Sequence, residues 1–232
     1  RFAATPSFVL DYIKYFLRLP IKSEYKIDDM ADDGIQLLET LKIDKAHIFS
    51  TSMGGMIAQI ISAQYPEKVK TFTLIASTAS TPSPINAPTR AVREIMLQRS
   101  KNPNASYDEI LKREIKMVSL IGMEGREVDT PEFRKETIEN LGRSKDRSGY
   151  ARQLLSILAS KDRLKKIKKI KAPTLIIHGK DDPMIHVKNA YTMHKLIPHS
   201  KLKIIKNMRH LIEPEVLKQF EGVLLEHLKI SS

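Results

Sequence analysis

The sequence predicts an α/β protein in which a parallel sheet is covered by helices and carries a long helical insertion. Short segments rich in apolar and β-branched residues alternate with longer segments of helical periodicity. This alternation is typical of a parallel sheet wrapped by helices. Residues 174–177 (Thr-Leu-Ile-Ile) form a continuous run rather than a polar–apolar alternation. Strands that are covered on both faces have this composition.

The individual elements follow from local composition. Strands are predicted at residues 46–50, 70–76, 173–178 and 202–206, where β-branched and other apolar residues are concentrated. Helices are predicted at residues 30–41, 54–65, 187–196 and 214–228, where apolar residues recur at helical spacing.

The long interval between the second and third strands defines the predicted domain organisation. It contains no convincing strand, but it contains helix-like segments, one at residues 106–120 and one that starts at Thr130 with Pro131 in its first turn. Threonine before a helix and proline in its first turn are favourable helix starts. The sequence therefore predicts a core formed by residues 1–79 and 164–232 and a helical cap formed by residues 80–163.

Composition excludes several classes of protein. The 232 residues include no cysteine, which excludes disulfides, thiolate metal sites and a cysteine nucleophile. The balance of 41% hydrophobic and 28% charged residues is typical of a globular domain. No segment is long and apolar enough to span a bilayer, and no secretory signal is visible, so a cytoplasmic location is the default expectation.

The net charge of +12 raises the question of a nucleic-acid partner. The densest basic segment, residues 161–171, carries apolar residues at three-residue spacing, namely Leu164, Ile167 and Ile170. That pattern is typical of a helix with one buried and one solvated face. Aromatic residues make up only 6% of the chain, and none lies within the basic segment to stack on bases. No nucleic-acid partner is therefore expected.

The main chemical signal is the segment Ser-Thr-Ser-Met-Gly-Gly at residues 50–55, which lies between a predicted strand and a predicted helix. It matches the nucleophile-elbow pattern G-x-S-x-G, with Ser50 at the position of the first glycine. An elbow would expose Ser52 at a helix N-terminus, where the dipole and the backbone N–H of Met53 favour a developing oxyanion. Taken alone, the segment also fits a small-residue turn before an ordinary helix.

A serine nucleophile needs a general base and an acid that orients the base. Two later loops offer these groups, since Asp181 and Asp182 follow the third predicted strand and His210 follows the fourth. Parallel strands would bring both loops to the same sheet edge as Ser52, where open α/β sheets place their sites. No metal-ligand spacing and no phosphate-binding glycine loop occurs, so neither a metal nor a cofactor is expected. His178, at the end of a strand, is expected to pack or to support the site rather than to react.

Several segments together resemble serine hydrolases of the α/β-hydrolase fold, and among these the esterases of the aclacinomycin methylesterase type. The matching segments lie at residues 28–33, 43–47, 52–59, 65–69, 152–153, 162–163, 172–175 and 178–183. The resemblance implies hydrolysis of a small-molecule ester through an acyl-enzyme, with Ser52 as nucleophile, Asp182 as acid and His210 as general base. The family motif places the acid three residues after Gly179, which selects Asp182 over Asp181.

Two features depart from the family pattern. The only His-Gly pair, at residues 178–179, precedes the acid, so it cannot supply the second oxyanion donor that the family takes from an early loop. Residues 1–44 contain no counterpart of the first strands of the fold. We therefore expect a missing N-terminal segment or a partner chain to complete the sheet beside residues 46–50.

Two other functions remain open for the same fold. A cofactor-free haloperoxidase or perhydrolase would use the same three residues with peroxide. A binding module that has the fold but no activity, or an inactive truncated chain, would keep the elbow without turnover.

Overall fold

The computed structural model describes residues 11, 13–15, 17, 19–81, 86–101, 105–143 and 148–230. Its centre is a four-stranded sheet of β1 (Ala46–Thr51), β2 (Val69–Ile75), β3 (Thr174–Gly179) and β4 (Lys201–Ile205). The strands lie side by side in chain order, and each neighbouring pair is parallel. All four strands agree with the prediction to within one residue at each end.

Helices occupy most of the remaining described chain. In chain order they are α1 (Ile27–Thr40), α2 (Ser52–Gln64), α3 (Arg90–Lys101), α4 (Tyr107–Ile121), α5 (Pro131–Gly142), α6 (Gly149–Ala159), α7 (Leu164–Ile167), α8 (Lys188–Leu196), α9 (Pro214–Leu217) and α10 (Glu221–Lys229). A short 3₁₀ turn, Pro66–Lys68, leads into β2. Among the described helices, none is long and apolar enough to cross a bilayer.

The core lies on both faces of the sheet, as the continuous strand composition predicted. Leu74 and Ile176 pack on one face in a cluster that includes side chains of α1, α2 and α8. Leu175 and Ile177 pack on the other face in a cluster that includes Phe220. The four strand side chains are completely buried. Because neighbouring residues of a strand point to opposite faces, both layers of helices need apolar residues at every strand position.

The C-terminal helix differs from the prediction. Residues 214–228 were expected to form one helix, but α9 and α10 are separate. Between them, i→i+3 hydrogen bonds from Gln219 N to Val216 O and from Phe220 N to Leu217 O tighten the chain. This turn places Phe220, which is 1% exposed, in the core. Burial of one aromatic side chain stabilises the fold by about 1.5–3 kcal/mol, which offsets the interruption of the helix.

The insertion between β2 and β3 is helical in the part that the structure describes, with α3 to α6 and no strand. The two helix starts identified in the sequence are present. Ser106 caps α4 by accepting a hydrogen bond from the backbone N–H of Glu109 over 3.3 Å. Thr130 caps α5 by accepting one from Phe133 over 3.2 Å. The division into a core and a separate cap at residues 80–163 stays a prediction.

Strand β1 forms one edge of the described sheet, because β2 pairs with it on one side only. Phe49 on this strand is 51% exposed. The expectation that a missing N-terminal segment or a partner chain pairs with β1 stays a prediction.

Candidate active site

The turn between β1 and α2 is sharp, and Ser52 lies at its centre. Ser52 directly follows the strand and begins the helix, and its φ angle of 50° lies in the left-handed region. A residue with a side chain adopts this conformation at a cost of about 1–2 kcal/mol, so the surrounding structure must hold it. The hydroxyl of Ser77 helps to hold it, because it donates a hydrogen bond to the Ser52 carbonyl over 2.8 Å.

The small residues around Ser52 have different roles. A Cβ atom on Gly55 would lie 2.5 Å from Leu74 Cδ1 and 2.7 Å from Ser77 Cβ, so α2 can pack this closely on β2 only with glycine there. A Cβ atom on Gly54 would meet nothing within 4 Å. Ser50, at the position of the family's first glycine, donates its hydroxyl to the Thr73 carbonyl over 2.9 Å. The close approach therefore depends on Gly55, and Ser50 is accommodated by a bond to the neighbouring strand.

The three residues selected from the sequence lie together. Nε2 of His210 is 3.0 Å from Oγ of Ser52, and Nδ1 of His210 is 2.8 Å from Oδ2 of Asp182. Asp182 and His210 are each 6% exposed. With the carboxylate accepting from Nδ1–H, Nε2 carries the free lone pair that faces the serine hydroxyl. Asp181, the alternative acid, is exposed.

Backbone and side-chain donors surround the Asp182 carboxylate. Oδ1 accepts hydrogen bonds from the N–H groups of Met184 (2.8 Å) and Ile185 (2.9 Å). Burial by itself would raise the pKa of Asp182, but its interactions with the His178 and His210 imidazoles outweigh this effect and hold that pKa well below its usual range. The carboxylate is therefore ionised and able to stabilise a positive charge on His210.

His178 is a second histidine beside the acid. The side chain is completely buried, and its Nε2 lies 2.7 Å from the Ile185 carbonyl and 3.4 Å from Asp182 Oδ2. Its Nδ1 atom is buried and has no hydrogen-bond partner in the described part of the chain. Donation from Nε2–H to Ile185 holds the ends of the Asp182 loop together. In the sequence, the signal for this role was its position four residues before the acid.

The loop that carries His210 is attached to the insertion. The Ile121 carbonyl, at the end of α4, accepts hydrogen bonds from the backbone N–H groups of His210 (2.8 Å) and Leu211 (3.2 Å). Three residues further on, the buried carboxylate of Glu213 accepts a bond from Met123 N over 2.9 Å and pairs with Arg126 over 3.1 Å. The position of the imidazole thus depends on the insertion as well as on β4.

Gly179 allows the loop that carries Asp182 and the loop that carries His210 to meet. A Cβ atom at this position would lie 2.1 Å from the Arg209 carbonyl oxygen and 2.3 Å from that of Met208. These are backbone atoms of the segment that leads into His210, so they cannot move aside cheaply. The absence of a side chain at residue 179 therefore brings the Asp182 and His210 loops into contact.

A buried arginine supports the elbow helix from behind. The Arg163 side chain donates to Gln59 Oε1 on α2 over 3.2 Å and to the Thr78 carbonyl over 3.0 Å. Burial lowers the pKa of Arg163 to about 10, which still leaves the guanidinium charged at neutral pH. Its hydrogen bonds all go to uncharged acceptors. In the sequence, Arg163 belongs to one of the segments that match the family (residues 162–163), but its role behind the elbow helix was not predicted.

A cavity of about 150 Å³ opens onto Ser52 between the sheet edge and the insertion. The walls are mostly apolar side chains from α3, α6 and the Asp182 loop, and include Met96, Leu97, Ile157, Leu158 and Met184. Met53, whose backbone N–H was expected to support an oxyanion, also lines it. That N–H lies in the first turn of α2, where backbone donors have no partner within the helix.

No group of three or more His, Asp or Glu side chains in the described part of the chain could hold a metal ion. His178 lies next to the Asp182–His210 pair, but Asp182 is the one carboxylate there, and its two oxygens already accept hydrogen bonds from His210, Met184 and Ile185. The arrangement suits proton transfer between a hydroxyl and an imidazole.

Comparisons with known proteins agree with this fold. The family model described as alpha/beta hydrolase fold matches residues 14–213. The chain is 22% identical to rhodomycin D methylesterase of Streptomyces peucetius over 223 residues. This match covers 90% of this chain and 75% of the methylesterase. It is also 26% identical to a monoacylglycerol lipase of Bos taurus over 212 residues. This match covers 87% of this chain and 62% of the lipase.

A solved structure shows the same fold. The thermophilic esterase from Thermogutta terrifontis superposes with a TM-score of 0.70 at 21% identity, over 92% of this chain and 76% of the esterase.

Proposed function

The chain belongs to the alpha/beta hydrolase fold family, and from this premise we propose that it is a serine hydrolase that cleaves a carboxylic ester through an acyl-enzyme intermediate. The observation that carries the proposal is the 3.0 Å approach of His210 Nε2 to Ser52 Oγ, with Asp182 on the other ring nitrogen. The named relatives, a methylesterase and a lipase, act on carboxylic esters, which supports this reaction type.

Acylation begins when Ser52 Oγ attacks the ester carbonyl carbon and His210 Nε2 takes the hydroxyl proton. The tetrahedral oxyanion that forms lies at the N-terminus of α2, where the Met53 N–H and the helix dipole stabilise it. Asp182 stabilises the imidazolium and holds its tautomer. When the intermediate collapses, Nε2–H protonates the departing alkoxide, which leaves as the alcohol.

Deacylation repeats these steps with water. His210 takes a proton from a water molecule as its oxygen attacks the acyl carbon, and it then returns that proton to Ser52 Oγ. The products are the carboxylic acid and the free serine. Hydrogen peroxide in place of water would release a peracid, which is the perhydrolase alternative.

Labelling with a fluorophosphonate tests the proposal. We expect wild-type protein to gain the mass of one adduct at Ser52, because an activated serine displaces fluoride from the phosphorus. The Ser52→Ala variant should gain no mass. The control is Ser77→Ala, which removes the hydroxyl that bonds to the Ser52 carbonyl and should still be labelled. A folded wild-type protein that is not labelled would instead be a binding module without turnover.

Hydrolysis and perhydrolysis are separated by a second measurement. We expect p-nitrophenyl esters to be hydrolysed without peroxide, and the rate of acid production to change little when peroxide is added. Peracid formed faster than acid at millimolar peroxide would favour the perhydrolase.

A further inference from the structure

The Ser52 cavity contains one charged side chain among its described lining residues, that of Arg93 on α3. The side chain is half-buried, and its guanidinium has no hydrogen-bond or ion-pair partner in the described part of the chain. The next arginine on the helix, Arg90, is paired with Glu94 and is 88% exposed. A guanidinium that is partly removed from water and left without an acceptor costs stability unless a ligand supplies the acceptor.

The position of Arg93 is fixed relative to the Asp182 loop. The Thr89 N–H, at the start of α3, donates to the Pro183 carbonyl over 2.8 Å, and Arg93 N bonds to the Thr89 carbonyl one helical turn later over 3.0 Å. Val92 and Ile95 on the same helix are buried against α4 at 0% and 2% exposure. Arg93 is therefore presented to the cavity from a helix that is anchored one residue from the acid.

Other charges around the cavity do not neutralise Arg93. No aspartate or glutamate is among the described residues that line the cavity. Arg93 is thus the one charged side chain among the described residues that line a cavity with mostly apolar walls, where electrostatic interactions are stronger than in water.

We propose that the substrate is an ester with an apolar body and a carboxylate that binds Arg93. This inference rests on the proposed function, because Ser52 and Arg93 line the same cavity. A guanidinium binds a carboxylate through two parallel N–H···O bonds, which fixes orientation as well as affinity. The net charge of +12 also favours the approach of anionic substrates. The carboxylate could belong to the acyl or to the alcohol part of the ester.

Paired charged and neutral substrates of similar shape test the proposal. The acyl arm uses the mono-4-nitrophenyl ester of adipic acid and its neutral methyl ester. The alcohol arm uses 4-carboxyphenyl butyrate and the neutral 4-carbamoylphenyl butyrate. We expect Arg93→Met to lower kcat/KM for the charged ester of one arm by about 10- to 100-fold, as loss of a charged hydrogen bond does. Its neutral partner should change by less than about twofold, which also shows that the variant is folded.

Two control variants narrow the outcome. Arg90→Met removes the same charge from the same helix outside the cavity and should leave all four rates near wild type. Arg93→Lys keeps the charge but not the bidentate fork and should recover only part of the loss. If wild type hydrolyses these esters and Arg93→Met lowers charged and neutral rates equally, or lowers neither, the proposal is wrong while the hydrolase function stands.

If no ester is turned over, the proposed function is wrong, and a binding measurement then tests the carboxylate site at Arg93. Calorimetry with adipate monomethyl ester would then compare wild type with Arg93→Met and Arg90→Met. Weaker binding only in Arg93→Met, by 10-fold or more, supports a carboxylate site. Equal affinity in the three proteins, or no binding to wild type, overturns it.

Discussion

Nε2 of His178 lies 3.4 Å from Oδ2 of Asp182, the same oxygen that accepts the hydrogen bond from His210. The Asp182 carboxylate thus lies between two imidazoles, and its other oxygen accepts hydrogen bonds from two backbone N–H groups. Since His178 also bonds to the Ile185 carbonyl, one buried side chain connects the end of β3 to the loop that carries the acid. We infer that His178 acts through Asp182, as a positioning residue for the proposed reaction.

We expect His178→Leu to lower kcat about 10-fold or more and to destabilise the fold by about 1–3 kcal/mol, because the buried Ile185 carbonyl loses its donor. His178→Gln, whose amide can donate from a similar position, should recover part of both losses. Ester hydrolysis and urea unfolding measure the two effects. Loss of stability in His178→Leu without any change in kcat would mean that the side chain only packs.

The two adjacent aspartates differ in exposure and in partners, so their variants should differ in rate. Asp182→Asn removes the acceptor that fixes the His210 tautomer, and we expect kcat to fall by about 10⁴, as the same substitution does in a serine-protease triad. Asp181→Asn changes an exposed side chain and should stay within about twofold of wild type. Steady-state ester hydrolysis compares them, and comparable losses in both variants would contradict the choice of Asp182.

Asp182 should also make stability depend on pH. Its pKa is lower in the folded protein than in the unfolded chain, where it is about 3.9. Its stabilising contribution is therefore present above the unfolded pKa and is lost as the pH falls toward the folded pKa. Below about pH 4 we expect the free energy of unfolding of wild type to fall more steeply than that of Asp182→Asn, by up to about 1.4 kcal/mol per pH unit.

Urea unfolding at a series of pH values measures this difference. Asp181→Asn is the control, because its carboxylate is exposed, and it should follow the wild-type slope. His178→Leu should lose less stability than wild type over the same range, since one of the two imidazoles that lower the pKa of Asp182 is gone. Parallel curves for wild type and Asp182→Asn would show that folding does not lower the pKa of the acid.

The sequence was sufficient for the sheet and for the loops that surround Ser52. Strands are local runs of β-branched residues, and parallel strands bring the loops that follow them to one edge, so the order of elements predicted that Ser52, the Asp181–Asp182 pair and His210 lie near one another. The choice of Asp182 over Asp181 came from the resemblance to the family. The contacts that position these residues were not predictable. The bond from His210 N to Ile121 joins segments that are far apart in the chain, and such pairs depend on how the insertion packs.

Two local differences between the prediction and the structure have similar causes. Helical periodicity continues through residues 214–228, but burial of Phe220 divides the helix in two. The elbow pattern drew attention to Gly54, whereas the close contact with β2 is made at Gly55. In both cases tertiary packing selected a residue that the local pattern does not distinguish.

Alanine at the two glycines of the elbow should have opposite consequences. In Gly55→Ala the new methyl group would displace Ser77, which bonds to the Ser52 carbonyl, so we expect a loss of about 1–3 kcal/mol in stability and a lower kcat. Gly54→Ala has open space, and alanine favours a helix by up to about 1 kcal/mol, so stability should be unchanged or higher. Thermal unfolding compares them, and equal melting temperatures would contradict the packing argument.

The left-handed conformation of Ser52 predicts that this residue, the proposed nucleophile, is held at a cost to stability. Both Ser52→Ala and Ser52→Gly remove the hydroxyl and should lose fluorophosphonate labelling and ester hydrolysis. They should differ in stability, because alanine keeps the strain of a side chain at a φ of 50° whereas glycine adopts this conformation freely. We expect Ser52→Gly to be more stable than Ser52→Ala by about 1 kcal/mol, measured by urea unfolding at neutral pH. If alanine were the more stable of the two, the elbow would not be strained, and the positive φ would be an easy conformation of this turn rather than one imposed by Gly55 and Ser77.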